Sequence, residues 1–211
     1  MKQTRRQFLK TTALATAAFG LAGTGIALAE SVDLEELLIP GPLGDKILGD
    51  ENAPVTIVEY ASMTCGHCAN FHKKTWPSLK EQYVDTGKVR FIFREYPLNQ
   101  EAFAMSMLAR CAPADKYFEI VDIMFEQLRS GALSGEFLPA LTSLSKQIGY
   151  TQESFNKCLT DQGLLDALVA ERDRASQKFG VKSTPTFFIN GELHSGAMSI
   201  EQMGEIIEAA S

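Results

Sequence analysis

The sequence predicts an α/β protein that carries an inserted all-helical subdomain, and three observations indicate this class. An apolar strand pattern at residues 55–60 leads into a helical pattern, and a second strand pattern follows at residues 89–96. Roughly 80 residues of helical periodicity come next, which is too long for a loop within a compact sheet. Two strand patterns and a final helix then complete the chain. The insertion is therefore expected to span residues 99–180.

Residues 1–29 have the features of a cleaved export signal. Basic residues, among them Arg5 and Arg6, border an apolar run from Thr11 to Leu28, and the small residues around Ala29 predict cleavage after it. The paired arginines favour twin-arginine export, with a general secretion signal as the alternative. The run is rich in Ala, Gly and Thr, which disfavours a membrane anchor. These features predict a periplasmic protein.

Charge and cysteine content narrow the function classes. The net charge of the 211 residues is −6, and removal of the four basic residues of the signal changes it to −10. Nucleic acid is therefore a poor candidate partner. Four cysteines in an exported chain indicate an oxidising compartment, in which disulfides persist.

The first α/β half is predicted at residues 45–98, after an N-terminal arm at residues 30–44. The leucines of the arm suggest one amphipathic turn on the surface, in a segment that is only partly ordered. Residues 47–50 predict a short edge strand. Pro77 should break the helix that follows the first long strand. Strand, helix and strand in this order imply a right-handed crossover and parallel pairing.

Breaks within the insertion are expected at Pro113, at residues 131–135 and at Gly149, with two last helices near residues 153–159 and 164–179. The second α/β half, residues 181–211, holds a strand at 186–190 and the hairpin dipeptide Asn190-Gly191. An antiparallel strand follows. Ser199 and Gln202 then form the capping box of the last helix.

The strand at residues 55–60 leads to Cys65-Gly66-His67-Cys68 in the first turn of a helix. Unpaired backbone N–H groups and the helix dipole stabilise a thiolate there, so Cys65 is the predicted nucleophile and Cys68 the resolving thiol. The His67 side chain is expected to donate to the Cys65 sulfur or pair with its charge. A lowered thiol pKa stabilises the reduced form, which makes the disulfide a better oxidant.

Other uses of this cysteine pair fit the sequence less well. A zinc site needs a second pair of ligands, and His72 is the one candidate beside the motif. Haem attachment needs a histidine directly after Cys68, where Ala69 stands. A purely structural disulfide across two residues would be strained and easily reduced. We therefore expect redox chemistry, with no metal and no cofactor.

The strand, the Cys-x-x-Cys motif and Ser183-Thr184-Pro185-Thr186 together resemble the thioredoxin-fold disulfide oxidoreductases of the DsbA family. The resemblance covers about residues 45–208 and implies a thioredoxin fold with a helical insertion. It also implies that Pro185 is cis and faces the active site, with the backbone of Thr184 free to pair with substrate. The alternative is an ordinary trans proline at a strand entrance.

Glu59 matches the buried glutamate of this family, which suggests a proton relay beneath Cys68 when that thiol attacks a mixed disulfide. The alternative is a glutamate that faces water. The family often has an acidic residue four positions after the second cysteine. This chain has His72 there and so departs from the family's acidic network.

Cys111 and Cys158 lie on predicted helices of the insertion and are expected to pair in an exported protein. Closing a loop of about 48 residues would stabilise the fold by roughly 4 kcal/mol in the chain-entropy model. Two inert free thiols are the alternative, because the bridge needs close Cα atoms. A second disulfide also resembles some members of the family. His194 is interpreted as a surface or half-buried residue rather than a ligand.

The function predicted from the sequence is that of a periplasmic thiol:disulfide oxidoreductase. It would donate the Cys65–Cys68 disulfide to reduced, unfolded exported proteins, which dock on apolar surface around Met63, Pro185 and the helical cap. The resemblance implies reoxidation by a membrane quinone-linked partner similar to DsbB. A monomer is expected. The alternatives are a periplasmic reductase or isomerase and, less favoured, a metal-binding chaperone that uses Cys65, Cys68 and His72.

Overall fold

The protein folds around one five-stranded sheet, which a computed structural model describes together with its helices for residues 31–133 and 135–211. The predicted export signal lies outside the described residues. The strands are β1 (Lys46–Leu48), β2 (Val55–Ala61), β3 (Val89–Glu95), β4 (Thr186–Ile189) and β5 (Glu192–Ser195). Their order in the sheet is β1-β3-β2-β4-β5, so the apolar, largely buried β2 is central.

The strand pairings follow the sequence signals. Strands β2 and β3 pair in parallel from Val55 opposite Val89 to Ala61 opposite Glu95, as the strand-helix-strand order predicts. Strand β1 is an edge strand antiparallel to β3, and β4 runs antiparallel to both β2 and β5. Asn190 and Gly191 adopt φ values of 46° and 89° in the β4–β5 turn, the backbone that makes this dipeptide a hairpin signal.

The connection from β2 to β3 contains the break expected at Pro77. Helix α2 spans Gly66–Lys74, and α3 spans Trp76–Leu79 with Pro77 in its first turn. One π-helical turn, Lys80–Val84, completes the segment. A proline in a first turn needs no backbone N–H, so the chain restarts a helix there instead of extending α2.

The helices between β3 and β4 form the predicted insertion. They are α4 (Gln100–Cys111), α5 (Tyr117–Ser130), α6 (Phe137–Gln147), α7 (Gln152–Leu159) and α8 (Gln162–Lys178), with a 3₁₀ turn at Ala114–Lys116. The expected breaks at Pro113, after α5 and at Gly149 are confirmed. Helix α9 (Ile200–Ala209) follows β5 with the predicted Ser199–Gln202 capping box and buries Met203 and Ile207.

The N-terminal arm is anchored more firmly than its sequence predicts. Its helix α1 (Leu34–Leu38) buries Leu37 completely in a cluster with residues of the sheet and α8. The backbone N–H of Val32 donates to Gly191, and the Arg174 guanidinium donates to the backbone carbonyl of Ile39. The arm thus covers the β5 edge and one side of α8. No helix among the described residues is long and apolar enough to cross a bilayer.

Candidate active site

The two cysteines of the motif lie where β2 delivers the chain to α2. Cys65 is the N-cap of α2, with 9% of its surface exposed, and Cys68, one turn later, is completely buried. Both are free thiols. The backbone of Cys65 is held at both ends, because its N–H donates to Ser62 and its carbonyl accepts from Ala69. The reactive sulfur is therefore rigidly placed at the surface end of a buried pair.

The surroundings of the two thiols shift their pKa values in opposite directions. A hydrogen bond from the Cys68 side chain lowers the pKa of Cys65 to about 5; burial opposes this, and contacts with Thr184 and the backbone N–H groups of Cys68 and His67 assist it. Burial, above all, raises the pKa of Cys68, and the hydrogen bond to Cys65 and the nearby charge of Glu59 add to the effect. Cys65 is thus a thiolate at neutral pH while Cys68 keeps its proton.

The predicted contact between the His67 side chain and the Cys65 sulfur is absent. His67 is exposed, and within the described residues no hydrogen bond joins its imidazole to Cys65. Its backbone N–H supports the thiolate instead. The reason is positional: the first turn of a helix aims its backbone N–H groups at the cap residue, whereas the His67 side chain points into solvent.

Thr184 and Pro185 complete the site from the far end of the chain. The Thr184–Pro185 peptide bond is cis, as the resemblance implies, and Cys65 Sγ lies 3.2 Å from the carbonyl oxygen of Thr184. Thr184 is buried, and among the described residues its hydroxyl oxygen has no hydrogen-bond partner. The loop before β4 is thereby held directly against the reactive sulfur.

Glu59 is fully buried, which rules out the alternative of a solvent-facing glutamate. Its Oε2 atom lies 3.1 Å from Nε2 of His72, and Nδ1 of His72 lies 3.5 Å from Oδ1 of Asp122 on α5. Sequence reasoning treated His72 as a departure from an acidic pattern and as a possible metal ligand, and it missed Asp122. The i, i+4 spacing of Cys68 and His72, which sets both on one helix face, was the available signal for His72. No local pattern pointed to Asp122.

Met63 does not offer the apolar docking surface predicted for it. Only 1% of its surface is exposed, because it packs into the main core beneath the motif. Leu98 is 54% exposed, and the next residue, Asn99, accepts a hydrogen bond from the hydroxyl of Thr64 at 3.1 Å. Leu98 is therefore a candidate for exposed apolar surface that the sequence reading did not consider.

A second pair of cysteines is joined within the helical insertion. Cys111 at the end of α4 and Cys158 in α7 form a disulfide with a Cα–Cα distance of 6.1 Å. The alternative of two free thiols is therefore wrong. In the described part of the chain, no group of three or more His, Cys, Asp or Glu side chains is placed to hold a metal ion.

Comparison with known proteins accords with this geometry. The thioredoxin family model matches residues 43–209. The crystal structure of α-DsbA1 from Wolbachia pipientis is 33% identical, covers 84% of this chain and 96% of its own, and superposes with a TM-score of 0.76. This chain belongs to the DsbA-like thioredoxin family. Oxidised BdbD from Bacillus subtilis, 20% identical with a TM-score of 0.69, covers 86% of this chain and 97% of its own and shares the DsbA-like fold.

Curated relatives of this DsbA-like chain include a protein of Rickettsia bellii named as a putative protein-disulfide oxidoreductase. It is 31% identical over 167 residues, which is 79% of this chain. The match covers 64% of the length of the Rickettsia protein, so the chain spans somewhat less than two thirds of it.

Proposed function

We propose that the protein is an extracytoplasmic thiol:disulfide oxidoreductase that passes its Cys65–Cys68 disulfide to reduced cysteines of unfolded exported proteins. One observation carries the proposal: Cys65 caps α2 at the surface while Cys68, one turn later, is completely buried, an arrangement that lowers the pKa of Cys65 to about 5 and raises that of Cys68. Such a pair strongly favours the dithiol form, because one sulfur is a stabilised thiolate. Its disulfide is correspondingly oxidising.

The reaction follows from which sulfur is accessible. A substrate thiolate attacks Cys65 Sγ, a substrate–Cys65 disulfide forms, the Cys65–Cys68 bond breaks, and Cys68 leaves as a thiolate that takes up a proton. A second substrate thiolate then attacks the substrate sulfur of the mixed disulfide, and Cys65 leaves as a stabilised thiolate. The substrate gains a disulfide, and the enzyme is left with two reduced cysteines.

Substrate would dock beside Cys65 in an extended conformation. The Thr184 backbone lies against the reactive sulfur and supplies main-chain pairing that tolerates many sequences. Leu98 adds exposed apolar surface at the rim. Export to the periplasm as a monomer and reoxidation by a membrane quinone-linked partner similar to DsbB belong to the same proposal.

The deciding experiment is the reduction potential of the Cys65–Cys68 pair, obtained by equilibrating the protein with glutathione buffers and quantifying the oxidised fraction. A reduction potential of about −120 mV, the value typical of DsbA, supports the role of a disulfide donor. A reduction potential of about −270 mV, the value typical of thioredoxin, overturns the proposal in favour of a reductase. A Cys68→Ala variant that accumulates substrate–Cys65 mixed disulfides would identify the attacked sulfur independently.

A further inference from the structure

Every exchange cycle must move one proton to and from Cys68, and this thiol is sealed from water. Cys68 has no exposed surface, and the charge of Glu59 lies near enough to help raise the pKa of its thiol. Glu59 of β2 is equally buried, and its Oε1 atom has no hydrogen-bond partner in the part of the chain that the structure describes. A fully buried carboxylate with one free oxygen can accept the proton of Cys68, but it cannot by itself pass that proton to solvent.

His72 occupies the position from which the proton can continue. It lies one helical turn after Cys68 on the same face, 7% exposed, with its ring stacked on Phe125 at a centroid distance of 4.2 Å. The two ring nitrogens face different carboxylates: Nε2 is hydrogen-bonded to buried Glu59 at 3.1 Å, and Nδ1 lies at ion-pair distance, 3.5 Å, from Asp122 without a hydrogen bond among the described residues. The aromatic packing holds the ring in this orientation.

Asp122 brings the arrangement to the surface. Its side chain is 53% exposed, and together with His72 it lines a cavity of about 350 Å³ between α2 and α5. The other charged residues that line this cavity are Lys73, Glu126 and Arg129, and in the described part of the chain none of them makes an ion pair with the imidazole. Glu59 and Asp122 are thus the two charges that face the ring, one from the core and one from solvent.

We propose that His72 and Asp122 extend Glu59 into a proton route that connects the buried thiol of Cys68 with solvent. The route rests on the thiol-disulfide exchange proposed above and adds the path of its proton. His72 does not touch either sulfur and acts through Glu59. The burial of Cys68 and the reach of Asp122 to the surface define the two ends of the route.

The proton movements balance in each half of the cycle. When Cys68 attacks the mixed disulfide at Cys65, its sulfur forms the Cys65–Cys68 bond, the partner thiolate leaves, and the Cys68 proton goes to Glu59. Neutralising Glu59 removes the charge that holds His72 as an imidazolium, so Nδ1 releases its proton to Asp122 and from there to water. When substrate later breaks the disulfide, Glu59 returns its proton to Cys68 and Nδ1 regains one from solvent.

The electrostatics of the reduced site suit this exchange. Burial alone would lower the pKa of His72, but the charge of Glu59 and the contact with Asp122 outweigh it and raise the pKa to about 9. The imidazole is therefore charged at neutral pH only because both carboxylates face it. A change of charge on Glu59 must then change the charge of His72, which is the coupling the route needs.

The oxidation of the reduced protein by oxidised glutathione tests the route and contains its own control. The first step, attack of the Cys65 thiolate on oxidised glutathione, requires no proton transfer from Cys68. The second step, attack of Cys68 and release of the second glutathione, requires loss of the Cys68 proton. Rapid quenching followed by mass spectrometry distinguishes the mixed disulfide of the first step from the Cys65–Cys68 disulfide of the second. The wild type must show both steps, and this requirement tests the exchange activity independently of the proton route.

In His72→Gln and Asp122→Asn we expect an unchanged first step and a slower second step. The second step should slow on the order of 100-fold for His72→Gln, the lower end of the usual range for general acid–base groups, and by less, about 10-fold, for Asp122→Asn. The matched controls are His194→Gln on β5 and Glu119→Gln, an exposed carboxylate on α5, and neither should alter either step.

A His72→Ala variant separates proton transfer from packing. Added imidazole can enter the cavity beside the vacated position and should restore the second step in proportion to the basicity of the added base, compared among methylated imidazoles of equal size. Three outcomes would each overturn the route. Both steps could slow equally, the second step could be unchanged in His72→Gln, or the rescue of His72→Ala could be independent of the basicity of the added base. If instead the wild type itself fails to form the Cys65–Cys68 disulfide, the proposed function fails rather than the route.

Discussion

Acidifying the reduced protein should remove a definite part of its stability through Cys65 alone. The folded structure lowers the pKa of Cys65 from the ordinary value of 9.0 to about 5. A group whose folded pKa is lowered stabilises the fold above that pKa and loses the contribution as the pH falls through it. Between pH 7 and pH 4 the thiol of Cys65 stays protonated in the unfolded chain. In the folded protein it is ionised above about pH 5, so its contribution to stability changes mainly between pH 5 and pH 7. This amounts to about 3 kcal/mol of unfolding free energy.

The comparison with Cys65→Ser isolates this contribution. The pKa of His72, raised from 6.5 to about 9, stabilises the fold at acidic pH, but it does so in both proteins and is removed by subtraction. The raised pKa of Cys68 becomes unfavourable only above the ordinary thiol range, so the measurements stop at about pH 7.5. The difference between the two reduced proteins should therefore grow steadily from pH 5 to pH 7.

Urea unfolding at each pH measures the difference, with fluorescence of Trp76, the single tryptophan, as the probe. Ultraviolet absorbance of the thiolate gives the pKa of Cys65 directly. The same 3 kcal/mol, expressed as a potential, makes the disulfide more oxidising by about 60 mV at pH 7. A thiolate titration centred near pH 8, or a stability difference that does not change with pH, would refute the reasoning.

Three further predictions concern the second disulfide, a buried ion pair and an exposed leucine. Replacing Cys111 and Cys158 together by Ala should cost about 3–4 kcal/mol in urea unfolding, because the bridge closes a loop with a sequence separation of 47, and a loss below about 1 kcal/mol would contradict this. In the wild type the Arg110 guanidinium donates to both carboxylate oxygens of buried Glu95 at 2.6 Å. Arg110→Met leaves this carboxylate without its charge partner and should lower the free energy of unfolding by about 3–5 kcal/mol. The double variant with Glu95→Gln should recover much of that loss in the same assay, and no recovery would argue against an unpaired charge as the cause. Leu98→Ser should reduce kcat/KM for peptide oxidation several-fold while the unfolding free energy stays within about 0.5 kcal/mol, and equal kinetics would exclude Leu98 from docking.

Local patterns predicted most of the fold because they depend on neighbours in the chain. The β-branched run of β2, the proline that separates α2 from α3 and the Asn190-Gly191 turn each act through backbone preferences that the sequence displays directly. Two of the predictions that went wrong concerned burial. Met63 is buried and the arm is anchored by Leu37, and both depend on which distant surface happens to cover the residue.

What the sequence by itself determined is the reactive element: a Cys-x-x-Cys at the N-terminus of a helix that follows a buried strand, with Cys65 as its acidic thiol. What only the tertiary structure decided is the environment that tunes it. Thr184 meets Cys65 across 119 residues, and Asp122 reaches His72 from a helix of the insertion. Such contacts are set by the packing of separate elements against each other, and no periodicity or spacing along one segment encodes them.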